Sequence, residues 1–213
     1  MVLLTEPYLE QLNHWPQTGR HILAQFDDDS IVVYQAYRQS IGRYAHEEQH
    51  FGGEFSLSRM SWIKPNFLWM MYRCGWGTKP EQETTLAIRL KRAAFDAILR
   101  QAVHSSFIPE LYASRTDWQA AVARSDVRLQ WDPDHGPGGQ KLERRAIQLG
   151  LRGQALADYA RDWILEICDI SDFVAEQRNN VKSLNRLLTP RERTYPVSHA
   201  AVADRLGIST CMT

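Results

Sequence analysis

Between Phe55 and Trp76 the chain reads FSLSRMSWIKPNFLWMMYRCGW. Three cations, Arg59, Lys64 and Arg73, are interleaved there with Trp62, Trp69 and Trp76. Cations beside a strand–helix junction, where free backbone N–H groups point outward, suit a phosphate or carboxylate. Aromatic walls would strengthen that attraction by keeping water out. The same pattern also fits a core helix whose cations lie over aromatic surface with their charges in solvent. A second set lies upstream in IVVYQAYR. On a strand, alternation puts Val33, Gln35 and Tyr37 on one face and Val32, Tyr34 and Ala36 on the other. Gln35 and Tyr37 could aim hydrogen-bonding groups into a cleft with Arg38 at its rim; the plain alternative is an edge strand with one solvent face. A third set, Arg144, Arg145 and Gln148, lies on the return strand of a hairpin that begins with Trp131 and the DPDH turn. Asp132, Asp134 and His135 have the donor types of metal ligands, yet no second histidine cluster has matching spacing, and no metal is expected. His46 and His50 stand four apart without an HExxH pattern.

These residues need elements to hold them. Glu6 to Trp15 reads as a short helix ended by Pro16. HILAQF and IVVYQAY flank the turn-prone Asp27-Asp28-Asp29-Ser30 and read as two strands joined by a tight loop. Arg38 to Gln49 has a helical pattern that Gly52-Gly53 stops. EFSLSRMSWIK alternates as a strand, and Pro65 suits the first position of the helix FLWMMYRC, which is apolar all round and ends at Gly75. TTLAIRLK is a strand and AAFDAILRQAV a helix. His104 to Arg124 reads as a loop with a short helix. SDVRLQW and KLERRAIQLGL form a hairpin around DPDHGPGGQ. Gly153 to Ile167 reads as an amphipathic helix with an apolar stripe at helical spacing, and Ser171-Asp172 caps a last helix through Leu188. The expected fold is α+β: a mixed, mainly antiparallel sheet with a strand–helix–strand centre and flanking C-terminal helices. Residues 1–188 form one domain in this reading, and 189–213 a tail packed on the surface or partly mobile.

The chain has 213 residues, with 25 basic and 25 acidic side chains. A balanced charge argues against an all-over polyanion binder. Aromatics are plentiful, with 7 Trp, 8 Tyr and 7 Phe. The three cysteines form no CxxC, so a disulfide framework is not expected and a cytoplasmic location is the simpler one. The N-terminus lacks the pattern of a signal peptide, and no apolar run is long enough to suggest a membrane span. GxGxxG, GxxxxGK[ST] and GxSxG are missing.

VVYQAYR, RMSWIKPNFLWMMYRCGW, LQWDPDH and RRAIQLGLRG, in that order, resemble the family catalogued as domain of unknown function 4291. A weaker resemblance, in the order of elements, is to the ADP-ribosyltransferase fold. That fold uses a strand with a polar grip residue, a helix, a second strand reading Ser-x-Ser, and a late strand carrying a glutamate. Gln35, then Ser56-Leu57-Ser58, then Gln148 stand in that order here. Gln148 replaces the glutamate and cannot supply its negative charge; Glu143 is the nearest carboxyl on the same strand.

The expected function is an enzyme that binds a nucleotide-like, phosphorylated small molecule. Arg38, Arg59, Lys64 and Arg73 would meet phosphates. Trp62 or Tyr37 would stack on a base, with Gln35 and Gln148 orienting polar edges; Tyr34, Ser56, Trp131 and Arg145 are further ligand-binding candidates. Gln148 and Tyr37 are the catalytic candidates. The cofactor stays open, NAD being the one the resemblance implies, and so does the oligomeric state. The rival reading is a non-catalytic RNA- or DNA-binding module, or a protein-interaction module, that uses exposed Trp and Arg.

Overall fold

The computed structural model describes residues 3–209. In chain order the first elements are β1 (Thr5–Pro7), α1 (Tyr8–Gln11), β2 (Leu23–Ala24), β3 (Ser30–Tyr37) and α2 (Gln39–Glu48). Next come β4 (Ser61–Ile63), α3 (Phe67–Cys74), β5 (Thr84–Lys91), α4 (Arg92–Gln101), β6 (Val103–His104) and α5 (Arg115–Arg124). The remainder is β7 (Val127–His135), β8 (Lys141–Leu151), α6 (Gly153–Arg161), β9 (Ile164–Asp169), α7 (Ser171–Asn180), β10 (Leu188–Pro190), β11 (Arg193–Thr194) and α8 (Ala200–Leu206). The class is α+β, and the sheets are mostly antiparallel. No helix among the described residues is long and apolar enough to cross a membrane.

Two sheets carry the fold. One has the order β3-β5-β9, the other β4-β8-β7-β6. Both faces of β3 are covered. Ile31 and Val33 join the main core with Ile88, Leu90, Phe95 and Leu129. Val32 and Tyr34 point the other way, into a second cluster beneath α3 with Phe67, Leu68 and Met71. Each such full burial stabilises by roughly 1.5–3 kcal/mol relative to exposure. The two sheets meet at one backbone bridge. Tyr34 N–H donates to the Lys64 carbonyl at 2.7 Å, and Lys64 N–H to the Tyr34 carbonyl at 3.3 Å. Pro65 supports that geometry, because a residue before proline is driven to extended backbone.

Several expectations are revised. EFSLSRMSWIK is a strand only over Ser61–Ile63; Ser56 and Ser58 lie in a turn-containing loop. Helix α3 begins at Phe67 behind an Asn66 cap, whose side chain accepts the Trp69 N–H at 2.6 Å. Asn66 has the short oxygen a cap needs, so Pro65 stands outside the helix. The stripe from Gly153 splits: α6 stops at Arg161 and Ile164–Asp169 joins β5 as a strand. Ile164, Glu166 and Cys168 alternate against Leu165 and Ile167, a period the helical reading overlooked. Helix α7 ends at Asn180 rather than running to Leu188. The segment from Thr189 to Tyr195 is woven into the fold. β10 pairs with β1 and β11 with β2, while Thr189, Glu192 and Tyr195 are buried.

Candidate ligand-binding cleft

Past the Tyr34–Lys64 bridge β4 pairs with β8, and side chains take over the link to β3. Gln35 Nε2 donates to Ser61 Oγ at 2.8 Å and to the Trp62 carbonyl at 3.2 Å. Its Oε1 accepts the Tyr159 hydroxyl at 2.6 Å. The Tyr37 hydroxyl lies 2.8 Å from Ser61 Oγ. Burial holds that phenol protonated, well above its usual range. Gln35 and Tyr37 are therefore struts: their polar atoms are committed within the protein, and they fix the back wall of a cleft.

The cleft has a volume of about 670 Å³. Three cations line it: Arg59 from the loop before β4, Lys64 from the end of β4, and Arg73 from α3. Arg59 and Arg73 are exposed, and among the described residues neither pairs with a carboxylate. The Arg73 guanidinium lies 6.0 Å from the Trp69 ring centre. Lys64 is 6% exposed, and its Nζ has the Trp62 carbonyl as a distant acceptor at 3.4 Å. Burial and the Arg73 charge lower its pKa to about 8. Trp62 and Trp69 supply aromatic wall.

Opposite the cations stands a trio from the β7–β8 hairpin. Gln130 and Gln148 are directly paired across the strands. Asp132, two residues beyond Gln130, shares their face. Gln130 Nε2 donates to Asp132 Oδ1 at 2.8 Å, and Gln148 Nε2 to Oδ2 at 2.7 Å. Two amides thus hold the one carboxyl group among the cleft-lining residues. Asp132 was missed as a cleft residue in the sequence, where it read as a turn residue beside Asp134 and His135. The β7–β8 register shifts between Pro133 and His135, and this irregularity separates the three. Asp134 is buried against Arg144, with 2.5 Å between Oδ2 and Nε, and His135 stacks on Tyr72 at 3.5 Å. Among the described residues no group of three or more His, Cys, Asp or Glu is arranged to hold a metal.

The cleft brings together Gln35, Tyr37, Arg59, Trp62, Lys64, Arg73 and Gln148. Arg38 and Ser56 line an adjoining compartment of about 330 Å³ that shares Tyr37, Arg59 and Ser61 with it. Arg38 is spoken for, at 3.1 Å from Glu54 and 3.5 Å from Glu81. Tyr34, Trp131 and Arg145 are elsewhere. Each stands an odd number of positions from a cleft residue on its own strand, which turns it to the other face. Tyr34 is buried against Phe67, its ring centre 5.5 Å away. Trp131 Nε1 donates to the Leu206 carbonyl at 2.9 Å. Arg145 is exposed, and its N–H donates to Gly19 O at 2.7 Å.

One family profile matches residues 21–195. The chain belongs to the family described as a domain of unknown function (DUF4291). The DUF4291 match takes in every cleft residue and runs on through the buried Glu192 to Tyr195. No curated protein matches the chain.

Proposed function

We propose that this DUF4291 protein is an enzyme whose cleft binds a nucleotide-like, phosphorylated small molecule. One observation carries the reading: three cations face one carboxyl group in a walled cleft of about 670 Å³. Such a cleft attracts a dianion, and phosphate esters and diphosphates have that charge. Arg59 and Arg73 offer planar forks to phosphate oxygens, and the half-buried Trp62 offers a stacking face. The cations are gathered in a concavity, which favours a small ligand over the extended track of a nucleic-acid strand.

ADP-ribosyl transfer from NAD is the specific reaction we favour. Gln35 on β3, Ser61 on β4 and Gln148 on β8 converge in the element order that the resemblance implies. Ser61, rather than Ser56, supplies the serine. The negative charge that Gln148 lacks comes from Asp132 on the neighbouring strand, where it can stabilise positive charge developing on a ribosyl carbon.

Titration calorimetry with NAD, ADP-ribose and ATP tests the binding claim. At least one should bind below millimolar concentration, and Arg59→Ala should weaken it about tenfold or more with an unchanged melting temperature. No binding of any of the three at millimolar concentration would overturn the reading. A salt-sensitive RNA gel shift, retained in Asp132→Ala and lost in Arg59→Ala, would replace it with the nucleic-acid module.

A further inference from the structure

The chain has five lysines, and four of them, Lys79, Lys91, Lys141 and Lys182, are exposed. Lys64 is the exception: it is 6% exposed and lines the cleft. No carboxylate lies within ion-pair distance of it among the described residues. A buried ammonium without a carboxylate partner carries a desolvation penalty that an apolar side chain at the same place would avoid. Chemistry gives a reason to keep an amine there, because a desolvated lysine is a nucleophile at moderate pH.

The neighbours fit that chemistry. Arg59 and Arg73 line the same cleft as the amine and can seat a phosphate there. Asp132, fixed by two glutamine amides, is the cleft's proton acceptor. Trp62 and Trp69 keep the surroundings poor in water, which favours loss of water from an adduct.

We propose that Lys64 forms an imine with a phosphorylated aldehyde or ketone held by Arg59 and Arg73. The inference rests on the anion seat of the proposed function and adds a covalent step to it. The free amine's lone pair adds to the carbonyl carbon, and the nitrogen's proton passes to the carbonyl oxygen. The resulting carbinolamine loses its hydroxyl as water when Asp132 relays a second proton, and the nitrogen lone pair closes the C=N bond. Amine and carbonyl give imine and water, so no oxidant or reductant is needed. The groups that set the amine's titration are Arg73 and Cys74 on α3 and Asp132 on β7, with burial dominant.

Pyridoxal 5′-phosphate followed by borohydride, read by peptide mass spectrometry, tests it. The reduced adduct should appear on Lys64 at about tenfold lower reagent than on the four exposed lysines, and should rise with pH through about 8. Pyridoxal, which lacks the phosphate, and the Arg73→Ala protein should each lose that selectivity. The Lys64→Met protein, with an apolar side chain of similar length, should fold and show no preferred site. Labelling confined to the exposed lysines would overturn the proposal, as would equal labelling of Lys64 by pyridoxal. Selective labelling without binding of NAD, ADP-ribose or ATP would keep the imine and overturn the nucleotide reading. Nucleotide binding with Lys64 unlabelled would do the reverse.

Discussion

Lys64 shows how a single buried amine ties stability to pH. Its pKa falls from the usual 10.5 to about 8 because burial disfavours the charged form. The folded state therefore releases the proton earlier than the unfolded chain does. As pH rises from about 8 to 10.5 the wild-type protein gains stability through this group, and it loses that gain as pH falls back through 8. The span corresponds to about 3 kcal/mol, as an order of magnitude. Lys64→Met removes the titration altogether. Denaturant unfolding across pH should show the methionine protein ahead by a few kcal/mol at pH 7, with its lead shrinking steadily towards pH 10. A lead that does not change with pH would mean that the ammonium is solvated. Asp132 makes the complementary point. Asp132→Asn keeps the size, and both bonds survive if one of the two glutamines turns its amide so that Oε1 accepts the new NH2 group, so folding should change little. Removal of the negative charge should tighten binding of a nucleotide anion while slowing any reaction by about a hundredfold. Parallel calorimetry and turnover measurements separate those two effects.

Helix α3 positions much of the cleft, since it carries both Trp69 and Arg73. It is short and apolar, so its ends matter. At the N-terminus Asn66 accepts the Trp69 N–H, and the Glu192 carboxyl accepts the Phe67 N–H at 2.6 Å. At the C-terminus Gly75 adopts φ +60, where a side chain would be strained, and Trp76 N–H returns to the Met71 carbonyl at 2.8 Å. Asn66→Ala should cost about 1–2 kcal/mol in chemical denaturation, since it removes the cap and the Asn66 Nδ2 bond to Glu192 Oε2 at 3.3 Å, while the Phe67 N–H keeps its bond to Glu192. β8 contributes differently. A Cβ on Gly150 would fall 2.6 Å from Met60 Sδ and 3.0 Å from the Trp62 ring. Gly150→Ala should therefore shift the cleft wall and weaken nucleotide binding more than it weakens the fold; near-ultraviolet dichroism reports the tryptophan movement. Much at this scale was legible in the sequence. The β3 alternation, the all-apolar α3 and the β7–β8 hairpin have strong periods, and these elements carry Gln35, Arg73 and Gln148 to one place. Strand polarity was harder to use. Trp131 and Arg145 carry suitable chemistry but sit one and three positions from Asp132 and Gln148, on the opposite face. Asp132 itself was hidden because DPDH reads as a turn, whereas β7 continues through it to His135. β9 was concealed by an apolar spacing that matched the preceding helix.

At the scale of the whole molecule, the segment around Gln11 is sewn to the segment Thr189–Glu192. Gln11 Nε2 donates to Thr189 Oγ1 at 2.6 Å and to Pro190 O at 2.9 Å, while its Oε1 accepts the Glu192 N–H at 2.7 Å. Glu192 then reaches the start of α3, so the seam braces the helix that bears Arg73. Burial holds the Glu192 carboxyl well above the usual carboxylate range, against the opposing pull of the Phe67 N–H. Arg144 completes the seam: its Nε meets Asp134, its Nη1 donates to Pro16 O at 3.3 Å, and its guanidinium lies 5.0 Å from the Trp15 ring centre. Arg144 and Asp134 are 2% and 1% exposed, so water does little to screen them. Two variants should thus differ in the size of their cost. Arg144→Ala leaves Asp134 buried beside Glu192 with its cation gone, and should cost about 3–5 kcal/mol. Replacing both partners with apolar residues of similar volume, Arg144→Met with Asp134→Leu, removes the unpaired charge as well and should recover most of that loss. Urea midpoints of Arg144→Met, Asp134→Leu and the double variant, set against the wild type, form a cycle that isolates the pair. If the double variant is as unstable as Arg144→Ala, the ion pair is not what the seam depends on, and the stack of Arg144 on Trp15 is. Because the seam supports α3, the destabilised single variant should also bind nucleotide less well at temperatures where it is still folded.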